Sequence, residues 1–102
     1  MKRRIRFRDR AFADLHAQAG FIAEDSWVAA LRFYDAVDAT CRHLARWPES
    51  GALYDSRRKR VRVVRLFPVR GFDRHLVFYR VENDTIVIVR ILHSARNIPR
   101  IL

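Results

Sequence analysis

The sequence predicts an α+β fold: an N-terminal strand, an antiparallel helical hairpin, then a three-stranded antiparallel sheet (β-α-α-β-β-β) with the helices on one face. Three observations predict it. Residues 4 to 8 alternate charged and apolar, two apolar stripes at helical spacing occupy the middle, and the last third reads as two apolar strands joined by a polar turn.

Arg4-Ile5-Arg6-Phe7-Arg8 has the period of a strand with one dry face and one cationic face, as expected near a sheet edge. Asp9 offers an N-cap, and Phe12, Leu15, Ala19 and Ile22 follow on one helical face. Glu24-Asp25-Ser26 interrupts that helix with capping residues. Trp27, Leu31, Tyr34, Val37, Cys41 and Leu44 then form a longer stripe, with Arg32, Asp35, Asp38 and Arg42 on the other face. Two helices joined so briefly must run nearly antiparallel, and their apolar face needs a sheet to cover it.

Pro48 and Gly51 stop the second helix, and Glu49 to Arg60 is expected as a long loop ending in Arg57-Arg58-Lys59-Arg60. Strands are expected at about 61–67, 74–81 and 85–93, with Pro68 and Gly71 breaking the first of these and Asn83-Asp84 forming the last hairpin turn. A two-residue turn there pairs Glu82 with Thr85 and sends Arg80 and Arg90 to opposite faces; a three-residue turn sends them to the same face.

The chain has 102 residues, which suits a single domain spanning 1–102, and its 50% hydrophobic and 12% aromatic content excludes a disordered class. One cysteine, Cys41, excludes an internal disulfide, so a reducing cytoplasm is the expected location and a buried apolar role the expected one for its thiol. No run approaches a membrane span, and no apolar stretch follows the basic N-terminus as a secretory signal requires.

Lys and Arg number 21 against 11 acids, a net charge of +10, and nearly all the cations are arginine. That excess favours a polyanionic partner, and the planar guanidinium favours phosphate or carboxylate. The cations concentrate in residues 2–10 and 57–74, whereas 11–56 holds only Arg32, Arg42 and Arg46.

His16, His43, His75 and His93 lack ligand-like spacing, so no metal is expected. The three glycines form no phosphate cradle, no serine has a nucleophile-elbow context, and no cofactor is expected. What remains is a set of Arg and His on strands and strand ends. Metal-free RNA cleavage can run on such groups, with His93 as acid or base and Arg65, Arg74, Arg90 and Arg96 stabilising the phosphate. The competing reading pairs Arg90 with an acid such as Asp73 or Asp38 and makes His93 a hydrogen-bonded strand-end residue.

Across nearly its whole length the chain resembles the RelE/ParE superfamily of toxins from bacterial type II toxin-antitoxin modules. The landmarks are Ala13-Asp14-Leu15 and Phe21-Ile22-Ala23 on the first helix, Ala29-Ala30 to Phe33 on the second, Leu44 to Gly51, and Phe78-Tyr79-Arg80-Val81. Arg90-Ile91-Leu92-His93-Ser94-Ala95-Arg96-Asn97 is similar to the family ending Arg-Val-Leu-His-Gly-Ala-Arg-Asp, with Ser94 and Asn97 as departures.

The resemblance implies one of two activities. The mRNA-cleaving branch places a tyrosine or histidine near the C-terminus, but no tyrosine follows Tyr79, so His93 would have to substitute, with Arg96, Arg90 and Arg74 beside it. The ParE-like branch, which poisons DNA gyrase by binding, shares the His93 to Arg96 ending more closely and is favoured, with Arg65, Arg90 and Arg96 shaping the target surface. The alternatives are a ribosome-dependent mRNA endonuclease and a non-toxic basic nucleic-acid-binding module. The resemblance also implies a cognate ParD-like antitoxin, whose helix is expected near Leu15, Ile22, Leu31 and Tyr34.

Overall fold

The computed structural model describes residues 3–54, 63–96 and 98–101. Their elements are β1 (Arg4–Phe7), α1 (Asp9–Ala23), α2 (Trp27–Arg46), β2 (Ala52–Tyr54), β3 (Val64–Val69), β4 (Phe72–Glu82), β5 (Thr85–His93) and a short α3 (Ile98–Ile101). The sheet has five strands in the order β1-β5-β4-β3-β2, and it is mixed, because β1 runs parallel to β5 while the other pairs are antiparallel.

The class and the helical hairpin agree with the expectation, and the three-stranded antiparallel sheet is corrected. β1 joins the sheet through Ile5 opposite Ile86 and Phe7 opposite Ile88, so the first and last strands are neighbours. Its alternation revealed a strand, but a partner so distant in the chain leaves no local mark. β2 lies where a loop was expected; three residues are too few for a period-2 signal. Pro68 stays inside β3 instead of ending it. It sits beside the register shift between Pro68 and Val69, where a missing N–H is tolerated. The basic run Arg57-Arg58-Lys59-Arg60 and the expected strand start at Val61 lie outside the described residues.

Ser26 caps α2 as its sequence suggests, its Oγ accepting from the Ala29 N–H at 3.1 Å. For α1 the capping position falls on Arg8, with no side-chain cap, and Asp9 is the first helical residue. The helices lay Ala11, Leu15, Ala19, Phe33, Val37, Cys41 and Leu44 against Val69, Val77, Tyr79, Ile86, Ile88 and Ile91 of the sheet. Each large side chain fully buried there contributes ~1.5–3 kcal/mol. Burial pushes the Cys41 thiol up to about 12, with Asp38 adding to the shift, which leaves it a packing residue.

A second, smaller cluster lies on the other sheet face. Val64, Phe78 and Leu92 are buried there, with Tyr54, Leu66, Leu76 and the α3 residues Ile98 and Ile101 packed on them. The face opposite the helices therefore has an apolar centre, and its cations lie around that centre. No helix among the described residues is long and apolar enough to cross a membrane.

Two local devices fix the sheet to α2 and to the loop that follows it. Thr40, fully buried, donates from Oγ1 to the Ala36 carbonyl (2.7 Å) and accepts from the Arg70 N–H (3.1 Å), holding the turn in which Gly71 takes φ +78°. The Tyr79 hydroxyl donates to the Pro48 carbonyl (2.7 Å) and accepts from the Gly51 N–H (2.9 Å). Gly51 is needed there: a Cβ would meet the Tyr79 ring and come within 2.9 Å of the Leu66 carbonyl oxygen.

Candidate functional site

The β4–β5 hairpin decides where the candidate cations point. Its turn has two residues, Glu82 pairs with Thr85, and Asn83 adopts a positive φ of 54°, which asparagine tolerates better than most residues. That turn alone would send Arg80 and Arg90 to opposite faces. A bulge between Phe78 and Tyr79 in the pairing shifts the register by one, so that Arg90 stands opposite Phe78, in phase with Arg80. The sequence carried no sign of the bulge.

Arg90 is then taken up by α1. Its Nε and Nη2 donate to the two oxygens of Asp14 at 2.7 and 2.8 Å, with the two side chains only 13% and 12% exposed. The hydrogen bonds it donates to Asp14 hold the guanidinium charged, pushing its pKa above the ordinary arginine value. Asp14 also accepts the Ile91 N–H at 3.0 Å, and Gln18, one helical turn on, donates to the Ile91 carbonyl. β1 ends at Phe7, opposite Ile88, so beyond that point no strand among the described residues lies along the edge of β5 away from β4. Asp14 and Gln18 occupy the vacated edge and satisfy its backbone. The acid that pairs with Arg90 is thus Asp14 and not Asp73 or Asp38. Asp14 and Gln18 were missed as functional partners, although their i,i+4 spacing on one helix was visible.

The same glutamine reaches His75. His75 Nδ1 is 2.6 Å from Gln18 Oε1, its ring packs at 4.8 Å from that of Phe33, and the His93 ring lies 5.1 Å away on the neighbouring strand. Desolvation, with a smaller effect of His93, lowers the His75 pKa below its ordinary value. Nδ1 of His93 accepts the Ala95 N–H at 3.0 Å, closing the turn after β5. Arg96 follows that turn, exposed, and Arg74 is exposed on β4. Arg65 donates to the carbonyls of Gly51 (2.8 Å) and Glu49 (3.3 Å), which ties β3 to the loop after α2.

Beside Arg90 a cleft of about 400 Å³ is lined by Arg8, Asp9, Arg10, Val89, Arg90 and Ile101. Neither His75 nor His93 borders it, so the four nuclease candidates His93, Arg96, Arg90 and Arg74 are not gathered around this space. Among the described residues no group of three or more His, Cys, Asp or Glu is placed to hold a metal.

The helical hairpin presents a different surface. Leu15 is 7% exposed and turned into the core, so this member of the expected docking set offers no area for a partner. Its periodicity marked the buried stripe, and a docking surface is made by what that stripe leaves outside. Ile22 and Tyr34 are half-buried, with the Tyr34 hydroxyl 2.7 Å from His16 Nδ1. Leu31 is 52% exposed, beside Phe21 (75%), Trp27 (68%) and Val28, all at or near the tip of the hairpin. Large apolar residues clustered in this way mark an interaction surface.

A family model described as the ParE toxin of the type II toxin-antitoxin system parDE matches residues 5–98. Among solved structures, a chain from the chromosomal ParDE TA system from P. aeruginosa superposes with a TM-score of 0.68 at 22% identity, over 90% of this chain and 96% of that one, a likeness of fold. No curated protein matches the sequence.

Proposed function

The chain belongs to the family of ParE toxins of type II toxin-antitoxin systems, and from that premise we propose that it acts by binding DNA gyrase, without chemistry of its own, and is neutralised by a ParD-like antitoxin. The observation that carries the binding reading is the Arg90–Asp14 clamp. A guanidinium already held by both carboxylate oxygens is a poor electrophile for a crowded phosphate, and His93 spends one ring nitrogen on Ala95. Arg90 and Arg65 act by holding the β5 end and the β3 loop in shape, and Arg96 is the exposed member of the target-binding set.

For the antitoxin, Leu31 with Phe21, Trp27 and Val28 forms the docking surface, Ile22 and Tyr34 form its floor, and Leu15 supports it from beneath. An amphipathic antitoxin helix fits such a strip, and acidic residues flanking it suit a chain of net charge +10. The place of action on this reading is the cytoplasm, where gyrase works.

Purified toxin added to gyrase should block supercoiling or trap cleaved DNA, and antitoxin should reverse the block. Gyrase that stays fully active at excess toxin refutes the reading. Primer extension on translated messages after induction is the parallel test of mRNA cleavage by His93 and Arg96, and new 5′ ends would favour that branch instead.

A further inference from the structure

The gyrase reading leaves the N-terminal arginines without a task, and the fold puts them in a regular row. Ile5 and Phe7 point to the helix side, opposite Ile86 and Ile88 of the core, so Arg4 and Arg6 project from the other face. Arg8 continues the row, because its backbone is still extended (φ −73°, ψ 155°) and its N–H still meets the Ile88 carbonyl at 3.0 Å, as that of Arg4 meets Asp84 at 2.8 Å. At about 3.3 Å per residue the three side chains leave the strand roughly 6.6 Å apart. That interval is close to the separation of neighbouring phosphates along one nucleic-acid strand.

All three are exposed, and among the described residues only Arg6 has an acid partner, a long 3.6 Å pair with Glu82, which also meets Arg80 at 3.3 Å. The row runs into the cleft where Arg8, Arg10 and Arg90 stand against the single exposed acid Asp9.

We infer that Arg4, Arg6 and Arg8 form a track for the sugar-phosphate backbone of duplex DNA, through which the toxin grips the DNA segment held by its enzyme target. The inference rests on the gyrase reading for the choice of duplex. An acidic peptide is the less suitable occupant: peptide interfaces need an apolar centre, and the apolar centre of this face is already packed under Tyr54, Ile98 and Ile101, while the row outside it projects arginine at each exposed position. Phosphate binding of this kind is independent of base sequence, so the track sets affinity and orientation but reads no site.

The test is fluorescence anisotropy of a labelled duplex titrated with toxin alone, from 50 to 200 mM salt. Replacing Arg4, Arg6 and Arg8 together by Gln should flatten the dependence of log K on log salt by ~2.7, at ~0.9 for each phosphate no longer neutralised. The triple Lys variant, which keeps the charge, should retain the slope and guards against a folding artefact. A triple Gln variant of Arg32, Arg42 and Arg46 on α2 removes the same charge from the helical side and should leave the slope nearly intact. Equal flattening by both Gln triples reduces the effect to net charge and overturns the track. An unchanged DNA slope with weakened binding of an acidic antitoxin peptide overturns it in favour of the peptide. Because gyrase is absent from the assay, a toxin that blocks supercoiling yet shows no track-dependent slope refutes the inference and leaves the gyrase reading standing.

Discussion

Replacing Asp14 by Ala should be among the most damaging single changes to this fold. The substitution removes two charge-assisted hydrogen bonds to Arg90 at 2.7 and 2.8 Å and the acceptor of the Ile91 N–H at 3.0 Å. It strands a guanidinium whose side chain is only 13% exposed. Breaking such a pair from one side costs ~3–5 kcal/mol; with some solvent still reaching both groups, the lower end, about 3 kcal/mol, applies. In a domain of this size that lowers Tm by roughly 12–24 °C. Asp14→Asn keeps one acceptor and should lose less. Asp14→Leu with Arg90→Met removes both charges and should recover much of the loss, leaving ~1–3 kcal/mol for the unsatisfied Ile91 N–H. Urea unfolding at constant m-value measures each variant. A loss below about 1 kcal/mol for Asp14→Ala, or a coupling energy under ~0.5 kcal/mol in the cycle with Arg90→Ala, would refute the clamp as the element holding the β5 edge.

Other expectations follow from the same packing. Tyr79→Phe leaves the Gly51 N–H and the Pro48 carbonyl without their partner and should cost ~1–3 kcal/mol, while Gly51→Ala, crowding Tyr79 and the Leu66 carbonyl, should cost ~1–3 kcal/mol by thermal unfolding. His75 has a pKa depressed by burial and by His93, so near its ordinary 6.5 the unfolded chain binds the proton that the folded chain refuses. Stability should therefore be full above pH 6.5 and fall as pH drops below it, and a His75→Gln variant with an equally steep fall between about pH 7.5 and 5.5 would contradict this. With its thiol at about 12 and 2% exposed, Cys41 should resist a thiol-specific disulfide reagent at about pH 8 until the protein unfolds; rapid reaction of the native protein would show the site is open. Trp27→Ala or Leu31→Ala should weaken antitoxin binding by roughly 10- to 100-fold with supercoiling inhibition retained, and unchanged affinity in calorimetry would move the docking surface elsewhere.

Local chemistry explains which parts of the molecule were legible. The α1 and α2 stripes, the Ser26 cap and the Asn83-Asp84 turn each depend on residues within one or two turns of each other, and the structure carries them almost as read. β2 escaped because three residues leave no period. The site was less legible still. His93 and Arg90 stood out as polar groups ending an apolar strand, yet their partners Ala95 and Asp14 belong to a tight turn and to a helix at the other end of the chain.

By itself the sequence determined the α+β class, the two helices, the alternation of Arg4 to Arg8 and a surplus of arginine, because period and charge are properties of neighbouring residues. Only the tertiary structure decided that β1 lies parallel to β5, that a bulge turns Arg90 into phase with Arg80, and that Asp14 then captures it. These outcomes depend on which distant backbone edges are left unsatisfied once the core has closed, and a hydrogen-bonding need of that kind arises only after the chain has folded.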